Sequence, residues 1–419
     1  MDHFQLQGGE MFAEDVPLSR IAEAVGTPFY CYSRATLERH AQVMRAALAG
    51  LDDPLIAFAV KANPNVAVLR ILARQGLGAD VVSEGEMRRA LAAGIPAPRI
   101  VFSGVGKTDA EMAAALEAGI LQLNVESESE LARLSRVAAA IGREAEIAIR
   151  VNPDVDAKTL AKISTGKAEN KFGVPLDRVE ALYAQAAALP GVRPVGIAAH
   201  IGSQLLDLDP LEAAYGKLGA LVARLRAAGQ QVSRVDLGGG LGIPYDPRLP
   251  LPPTPDDYGA MVRQVTAGWD VRLMFEPGRL IAGNAGVLVA RVVTVKTGVS
   301  RRFVVLDAAM NDLIRPTLYG VYHDIRAVRP RPGEEMVTVV GPVCETGDMF
   351  AEDRVVTPLE EGDLVALMTA GAYGATMAGT YNSRPLVAET LVSGDRHVVI
   401  RQRQTLEELI GQDIVPDWI

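Results

Sequence analysis

Cysteine is nearly missing from this chain of 419 residues, which holds only Cys31 and Cys344. The two lie far apart and show no metal-ligand spacing, so neither a disulfide framework nor a metal-organised fold is expected, and a reducing cytoplasm is the implied setting. Positive charge is also in deficit, with 42 Lys and Arg against 51 Asp and Glu for a formal net charge of −9. No basic stripe is present to neutralise a phosphate backbone, which argues against nucleic acid as a partner. Long apolar runs are absent too. The alanine-rich stretch 110–121 carries Glu111 and Glu117, and stretches of this kind fall short of the ~20 apolar residues that span a bilayer. They read as amphipathic helices, and no membrane association is expected. Residues 1–17 are broken by acids and glycines and offer neither the charged nor the apolar part of a secretory leader.

What the chain does have is hydrophobic content of 49%, enough at this length for the cores of two domains. Eight short apolar runs recur at 55–60, 79–82, 100–102, 121–125, 146–151, 195–199, 234–237 and 272–275. Helical patterns separate them, for example at 84–93, 109–118, 127–141, 176–188 and 210–228. This β-then-α alternation belongs to a parallel sheet. A doubly wound sheet would show it as well, but the count of eight and a span near the ~250 residues of a (β/α)8 barrel favour the TIM-barrel architecture. Beyond the last run the pattern changes to β-branched segments at 287–297, 302–306, 336–340, 364–368 and 397–400. The expected division is therefore a barrel over 28–278 and an all-β domain over 279–419, with 1–27 contributing strands to the latter.

Chemistry clusters at the ends of the runs, where a TIM barrel keeps its active site. Lys61 directly follows the first run, a place from which a lysine can form a Schiff base. Gly238, Gly239 and Gly240 follow the seventh, and Glu276-Pro277-Gly278-Arg279 follows the eighth. Loops after strands seven and eight are this barrel's habitual phosphate site, and glycine lets backbone amides face an anion without a side chain in the way. A tight turn alone would also account for the triplet. Pyridoxal 5′-phosphate is the cofactor that needs both a tethering lysine and a dianion site. Glu276 is placed to face its pyridine nitrogen and favour the protonated ring, the stronger electron sink. His200, after the sixth run, can lie against the ring and Ser203 can donate to the phosphate. Asp80 and Ser83, at the second run, can either reach the lysine or cap the helix that starts near Glu84.

With these residues in view, the chain resembles the fold type III pyridoxal-phosphate decarboxylases, built on an alanine racemase-like barrel. The resemblance runs from about Phe29 to the end and rests on ordered motifs. In the barrel these are Val60-Lys61-Ala62-Asn63-Pro64, Ile163-Ser164-Thr165-Gly166, Asn170-Lys171-Phe172-Gly173, His200-Ile201-Gly202-Ser203-Gln204, Asp236-Leu237-Gly238-Gly239-Gly240 and Glu276-Pro277-Gly278-Arg279. Further on come Arg315-Pro316-Thr317-Leu318-Tyr319, Pro342-Val343-Cys344-Glu345-Thr346, Gly371-Ala372-Tyr373-Gly374 and Tyr381-Asn382-Ser383-Arg384-Pro385. Leu160 stands where many relatives carry histidine, and Ala378-Gly379-Thr380 is less typical than its surroundings.

The resemblance implies decarboxylation of meso-2,6-diaminopimelate to L-lysine. It makes Lys61 the covalent tether, His200 the ring-stacking partner and Glu276 the pyridine partner. Gly240, the backbone of Gly278 and Arg279, and Tyr373 would bind phosphate. Arg279, Arg315 and Tyr319 would grip the substrate's distal carboxylate and Glu345 its distal ammonium, in keeping with guanidinium–carboxylate and acid–amine pairing. It also implies a head-to-tail homodimer with shared active sites, in which Cys344 serves the neighbouring subunit and donates a proton to the reacting carbon. Without the resemblance Cys344 would read as a small buried hydrophobe. Decarboxylases of ornithine, arginine or carboxynorspermidine are the nearest alternatives, and the first two substrates have no use for the arginine pair. A racemase is disfavoured by Glu276, and a catalytically silent regulator has no chemical need for Lys61, Glu276 and Cys344 together.

Overall fold

The computed structural model describes residues 2–157, 159, 165–166 and 170–419. The chain forms two compact units, one of residues 38–244 and 249–281, the other of 1–37, 245–248 and 282–419.

The first unit is a closed parallel barrel. Its eight strands are Leu55–Ala59, Gly78–Val81, Ile100–Phe102, Gln122–Val125, Ala145–Asn152, Val192–Ala198, Arg234–Asp236 and Arg272–Phe275, each paired in parallel with the next. The eighth returns to the first, with Met274 opposite Leu55 and Phe275 opposite Ile56. That closure decides for the barrel over the doubly wound sheet. Every residue of the first strand is buried, because a barrel strand faces side chains within and helices without. Such strands read as unbroken apolar runs, unlike the alternating strands of a one-sided sheet. Leu55, Ala57, Val101 and Met274 pack together as one buried cluster of this unit.

Several barrel helices begin on a side-chain cap a few residues after the preceding strand. Ser83 accepts from the Glu86 amide, Ser127 from Glu130, and Thr108 forms a reciprocal capping box with Glu111. Each cap satisfies amide groups the first helical turn leaves without partners. Early capping keeps these three strand-to-helix loops short, so the side chains at those strand ends are held on a rigid rim.

The second unit is mostly β. A sheet runs in the order Met349–Val356, Glu335–Val340, Arg302–Leu306, Gly286–Thr297, Phe29–Ser33, Ala388–Ser393 and Arg396–Arg401, with Leu364–Leu367 also paired to Gly286–Thr297 and to Ile325–Ala327. Phe4–Gln7, Glu10–Ala13 and Val16–Pro17 form a separate three-stranded sheet. Phe29–Ser33 falls inside the 28–278 span assigned to the barrel from sequence, yet it pairs with Gly286–Thr297 and Ala388–Ser393. All five of its residues are buried, as those of a barrel strand are. Phe4, Met11, Leu18, Ile21, Phe29, Val287, Val289 and Val392 pack as the buried core of this unit. Among the described residues no helix is long and apolar enough to cross a membrane.

Candidate active site

The first barrel strand ends at Ala59, and a single 3-10 turn, Val60–Ala62, carries Lys61 out of it. Its ammonium lies 2.8 Å from Oδ2 of Asp80, on the adjacent strand. Asp80 is fully buried, while the lysine side chain is 37% exposed and so remains accessible at the barrel mouth. The structure separates the two roles considered for the second strand: Asp80 takes the lysine and Ser83 caps the helix. The other Asp80 oxygen, Oδ1, is buried with no hydrogen-bond partner among the described residues.

Lys61 lines a cavity of about 320 Å³ with Ser103, Asn124, Arg150, His200, Asp236 and Glu276. Its acids are linked. Glu276 is buried at the end of the eighth strand, 3.4 Å from the Ser103 hydroxyl. Ser103 accepts from the Asn124 amide, which also reaches Asp236, and Glu276 and Asp236 are joined by a hydrogen bond between their side chains. Burial, then the charges of Asp236 and Asp80, hold the Glu276 carboxyl well above the usual carboxylate range. Glu276 therefore carries a proton in this protein without cofactor, and Asp236 accepts it.

His200 sits just past the sixth strand. Its Nδ1 accepts from the Gly239 amide at 3.2 Å, which assigns the ring proton to Nε2 in the neutral form. Burial, reinforced by Lys61 and Arg150, holds its pKa well below the ordinary value. The ring is therefore an uncharged plate at neutral pH. Thr165 supports the same turn, its hydroxyl donating to the His200 carbonyl at 2.7 Å.

The glycine triplet is dictated by close approach as well as by conformation. A Cβ on Gly239 would fall 2.2 Å from the Glu276 carbonyl oxygen, and one on Gly240 2.4 Å from that of Gly202, where φ is also +120°. No other residue allows these loops to pack. Near them, Arg279 opens a short helix directly after Gly278 and donates to the Ser203 hydroxyl from Nη2 at 3.1 Å. Ser203 accepts there, so its own hydrogen remains for an acceptor such as a phosphate oxygen.

The β unit holds the remaining predicted residues. Arg315 opens the helix Arg315–Tyr319 and is 4% exposed. Its guanidinium lies 5.1 Å from the ring centroid of Tyr245, 5.9 Å from that of Tyr319 and 6.0 Å from that of Tyr373, a range in which a cation is attracted to an aromatic ring. Tyr373 adopts φ +56°. Cys344 and Glu345 occupy an exposed loop. Asp348 ties its base, accepting from the amides of Met310 at 2.6 Å and Val343 at 2.7 Å. Cys344 is exposed, contrary to the buried-hydrophobe reading, and its sulfur accepts from Asn382 at 3.2 Å. Cys31 is buried, and desolvation pushes its thiol up to about 12. Both thiols are free.

Four polar or charged cavity side chains carried no assigned role from sequence: Ser103, Asn124, Arg150 and Asp236. Each stands within or directly after a barrel strand, and that position was the available signal. Arg150 pairs with buried Glu126 at 2.9 Å and stacks 4.9 Å from the Phe172 ring. Leu160, and Ile163 and Ser164 of one quoted motif, lie outside the described residues.

An amine that can condense with an aldehyde, a glycine-lined cradle with Arg279 and Ser203, and a protonated acid able to face a ring nitrogen fit pyridoxal 5′-phosphate. Fold and site together define a barrel-type pyridoxal-phosphate enzyme. The family described as "Pyridoxal-dependent decarboxylase, pyridoxal binding domain" matches residues 34–283. The diaminopimelate decarboxylase of Zymomonas mobilis is 51% identical over 418 residues, covering 99% of each chain, and that of Pseudomonas aeruginosa is 50% identical, covering 99% of this chain and all of its own. The crystal structure of the Helicobacter pylori diaminopimelate decarboxylase complexed with L-lysine aligns with TM-score 0.91 at 41% identity, over 94% of this chain and 98% of that one. The chain belongs to the diaminopimelate decarboxylase family.

Proposed function

We propose that this protein decarboxylates meso-2,6-diaminopimelate to L-lysine and CO2, the last step of lysine biosynthesis, using pyridoxal 5′-phosphate in the cytoplasm. The observation that carries the reading is the convergence of Lys61, Asp80, His200 and Glu276 on the barrel mouth and its cavity. When bound, the cofactor supplies an electron sink for the pair left by departing CO2. Lys61 tethers it, and Asp80 keeps the lysine oriented at the mouth. Glu276 would give its proton to the ring nitrogen and, as the carboxylate left behind, favour the protonated ring. Neutral His200 packs against the ring without adding positive charge beside it. Ser203, Gly239 and Gly240, the backbone of Gly278 and Arg279, and Tyr373 hold the phosphate.

Substrate selection falls to Arg279, Arg315 and Tyr319 for the distal carboxylate and to Glu345 for the distal ammonium. Arg315 suits this role because a buried guanidinium flanked by tyrosines is a preformed carboxylate receptor. The exposed loop bearing Cys344 and Glu345 supports a homodimer in which these two residues serve the site of a second copy. There Cys344 returns a proton to the carbon that lost CO2.

Lysine formation from meso-diaminopimelate by the cofactor-loaded protein is the direct test, with ornithine, arginine and carboxynorspermidine run beside it. Turnover of diaminopimelate alone supports the whole reading. Turnover of another substrate instead would leave the decarboxylase class standing and remove the roles given to Arg279, Arg315 and Glu345.

A further inference from the structure

His323 is completely buried in the β unit, and both of its ring nitrogens are engaged. Nδ1 lies 2.9 Å from the Met368 carbonyl oxygen, and Nε2 lies 3.3 Å from Nε of Arg315. A carbonyl only accepts, so the ring proton sits on Nδ1, and the Nε2 lone pair receives the arginine N–H. The backbone at Met368 thus selects one neutral tautomer, the one that can accept from Arg315. An imidazolium, with both nitrogens as donors, could not make this pair of contacts.

The consequence lies in the geometry of the guanidinium. An arginine can grip a carboxylate bidentately through its Nε–Nη edge or through its Nη1–Nη2 edge. His323 occupies Nε, so a carboxylate that pairs bidentately with this guanidinium does so through the Nη1–Nη2 edge. Tyr245 braces both partners: its ring meets the His323 ring edge to face, centroids 5.2 Å apart, and lies 5.1 Å from the Arg315 guanidinium.

We propose that His323 is a positioning residue that fixes Arg315 so that its Nη1–Nη2 edge receives the substrate's distal carboxylate, and that it thereby sets preference for ligands bearing that group over plain diamines. The inference rests on the assignment of Arg315 as the carboxylate grip, and it deepens that assignment by naming what aims the grip.

L-Lysine and cadaverine differ by one carboxylate, the distal one in this reading, so the ratio of their affinities for the cofactor-loaded enzyme isolates the grip. His323→Phe keeps the bulk and removes both ring hydrogen bonds. It should lower the lysine-to-cadaverine affinity ratio about tenfold, and raise KM for diaminopimelate more than it lowers kcat. His323→Gln, whose amide oxygen can reach the place of Nε2, should recover much of the ratio. His323→Asn, which can keep a donor near Met368 but is too short to accept from Arg315, should not. The Gln and Asn pair carries the test if the Phe variant does not fold.

A folded Phe variant with an unchanged ratio, or one that loses both affinities equally, would overturn the inference, the latter by showing a purely structural role. Arg315→Gln provides the reference. If it collapses the ratio while the His323 variants do not, only the role of His323 fails. If Arg315→Gln leaves the ratio intact, the grip assignment itself is wrong and the role of His323 falls with it.

Discussion

Asp236 and Glu276, at the ends of the seventh and eighth barrel strands, are joined carboxyl to carboxylate, with Glu276 as donor. Two buried acids in contact hold one proton between them, because ionising both would set like charges together in a poorly solvated space. Burial is the first cause of the rise at Glu276, followed by Asp236 and then Asp80. A carboxyl whose folded-state pKa is raised contributes stability fully present below its unfolded pKa of roughly 4.3 and lost as pH rises through the folded value. Asp236→Asn removes one acid and weakens the shift on the other. The stability difference between variant and wild type, both without cofactor, should move in the variant's favour as pH is raised from 5 to 8. Urea denaturation across that range measures it, and a flat difference would mean that the two acids titrate independently.

Lys61→Ala should abolish both turnover and the visible absorbance that survives gel filtration of the loaded protein. It also leaves Asp80 fully buried without its ammonium partner, a costly state for a carboxylate. Lys61→Ala combined with Asp80→Asn should therefore melt at a higher temperature than Lys61→Ala alone, although neither regains activity.

Gly240→Ala places a methyl group 2.4 Å from a carbonyl oxygen at a φ of +120°. Stability should fall by roughly 1–3 kcal/mol, and equilibrium dialysis should show weakened cofactor binding. Gly229, at φ +78° with no neighbour within 4 Å of an added Cβ, is the control: Gly229→Ala should carry conformational strain but leave cofactor affinity alone.

His200 has a folded-state pKa held well below that of a free histidine, chiefly by burial and then by Lys61 and Arg150. For a lowered base the sign is opposite to the Glu276 case: its contribution is present above the unfolded pKa of roughly 6.5 and lost as pH falls toward the folded value. His200→Asn should lose less stability than wild type between pH 7 and pH 5 in the protein without cofactor. Equal losses would mean that His200 charges in the folded state without penalty.

If Cys344 acts at a neighbour's site, two inactive variants should complement each other. Mixing Lys61→Ala with Cys344→Ala under subunit exchange makes heterodimers with one intact site, and specific activity should approach about a quarter of wild type. No recovery, with exchange verified by mass, would place Lys61 and Cys344 in the same chain's site or remove Cys344 from the chemistry.

By itself the sequence determined the barrel and the chemical character of its mouth. Strands buried on both faces are written as short apolar runs, and polar residues directly after such runs, like Lys61 and Glu276, fall on one rim whatever the loops do. The local signals were complete at Lys61, where strand end, 3-10 turn and the Asn65 helix cap lie within a few residues of one another. Tertiary structure decided whatever depends on pairing across long stretches of chain. Phe29–Ser33 lies within the span expected of the barrel and joins the β sheet because residues more than two hundred positions away supply its neighbours. Asp236 lies inside a short run that the sequence marks only as a strand, until pairing of the seventh and eighth strands sets it against Glu276. His323 has no motif of its own, and its tautomer is fixed only when the backbone at Met368 folds back against it. Hydrogen-bond partners of buried groups are chosen by distance in space, and that distance is not written in sequence order.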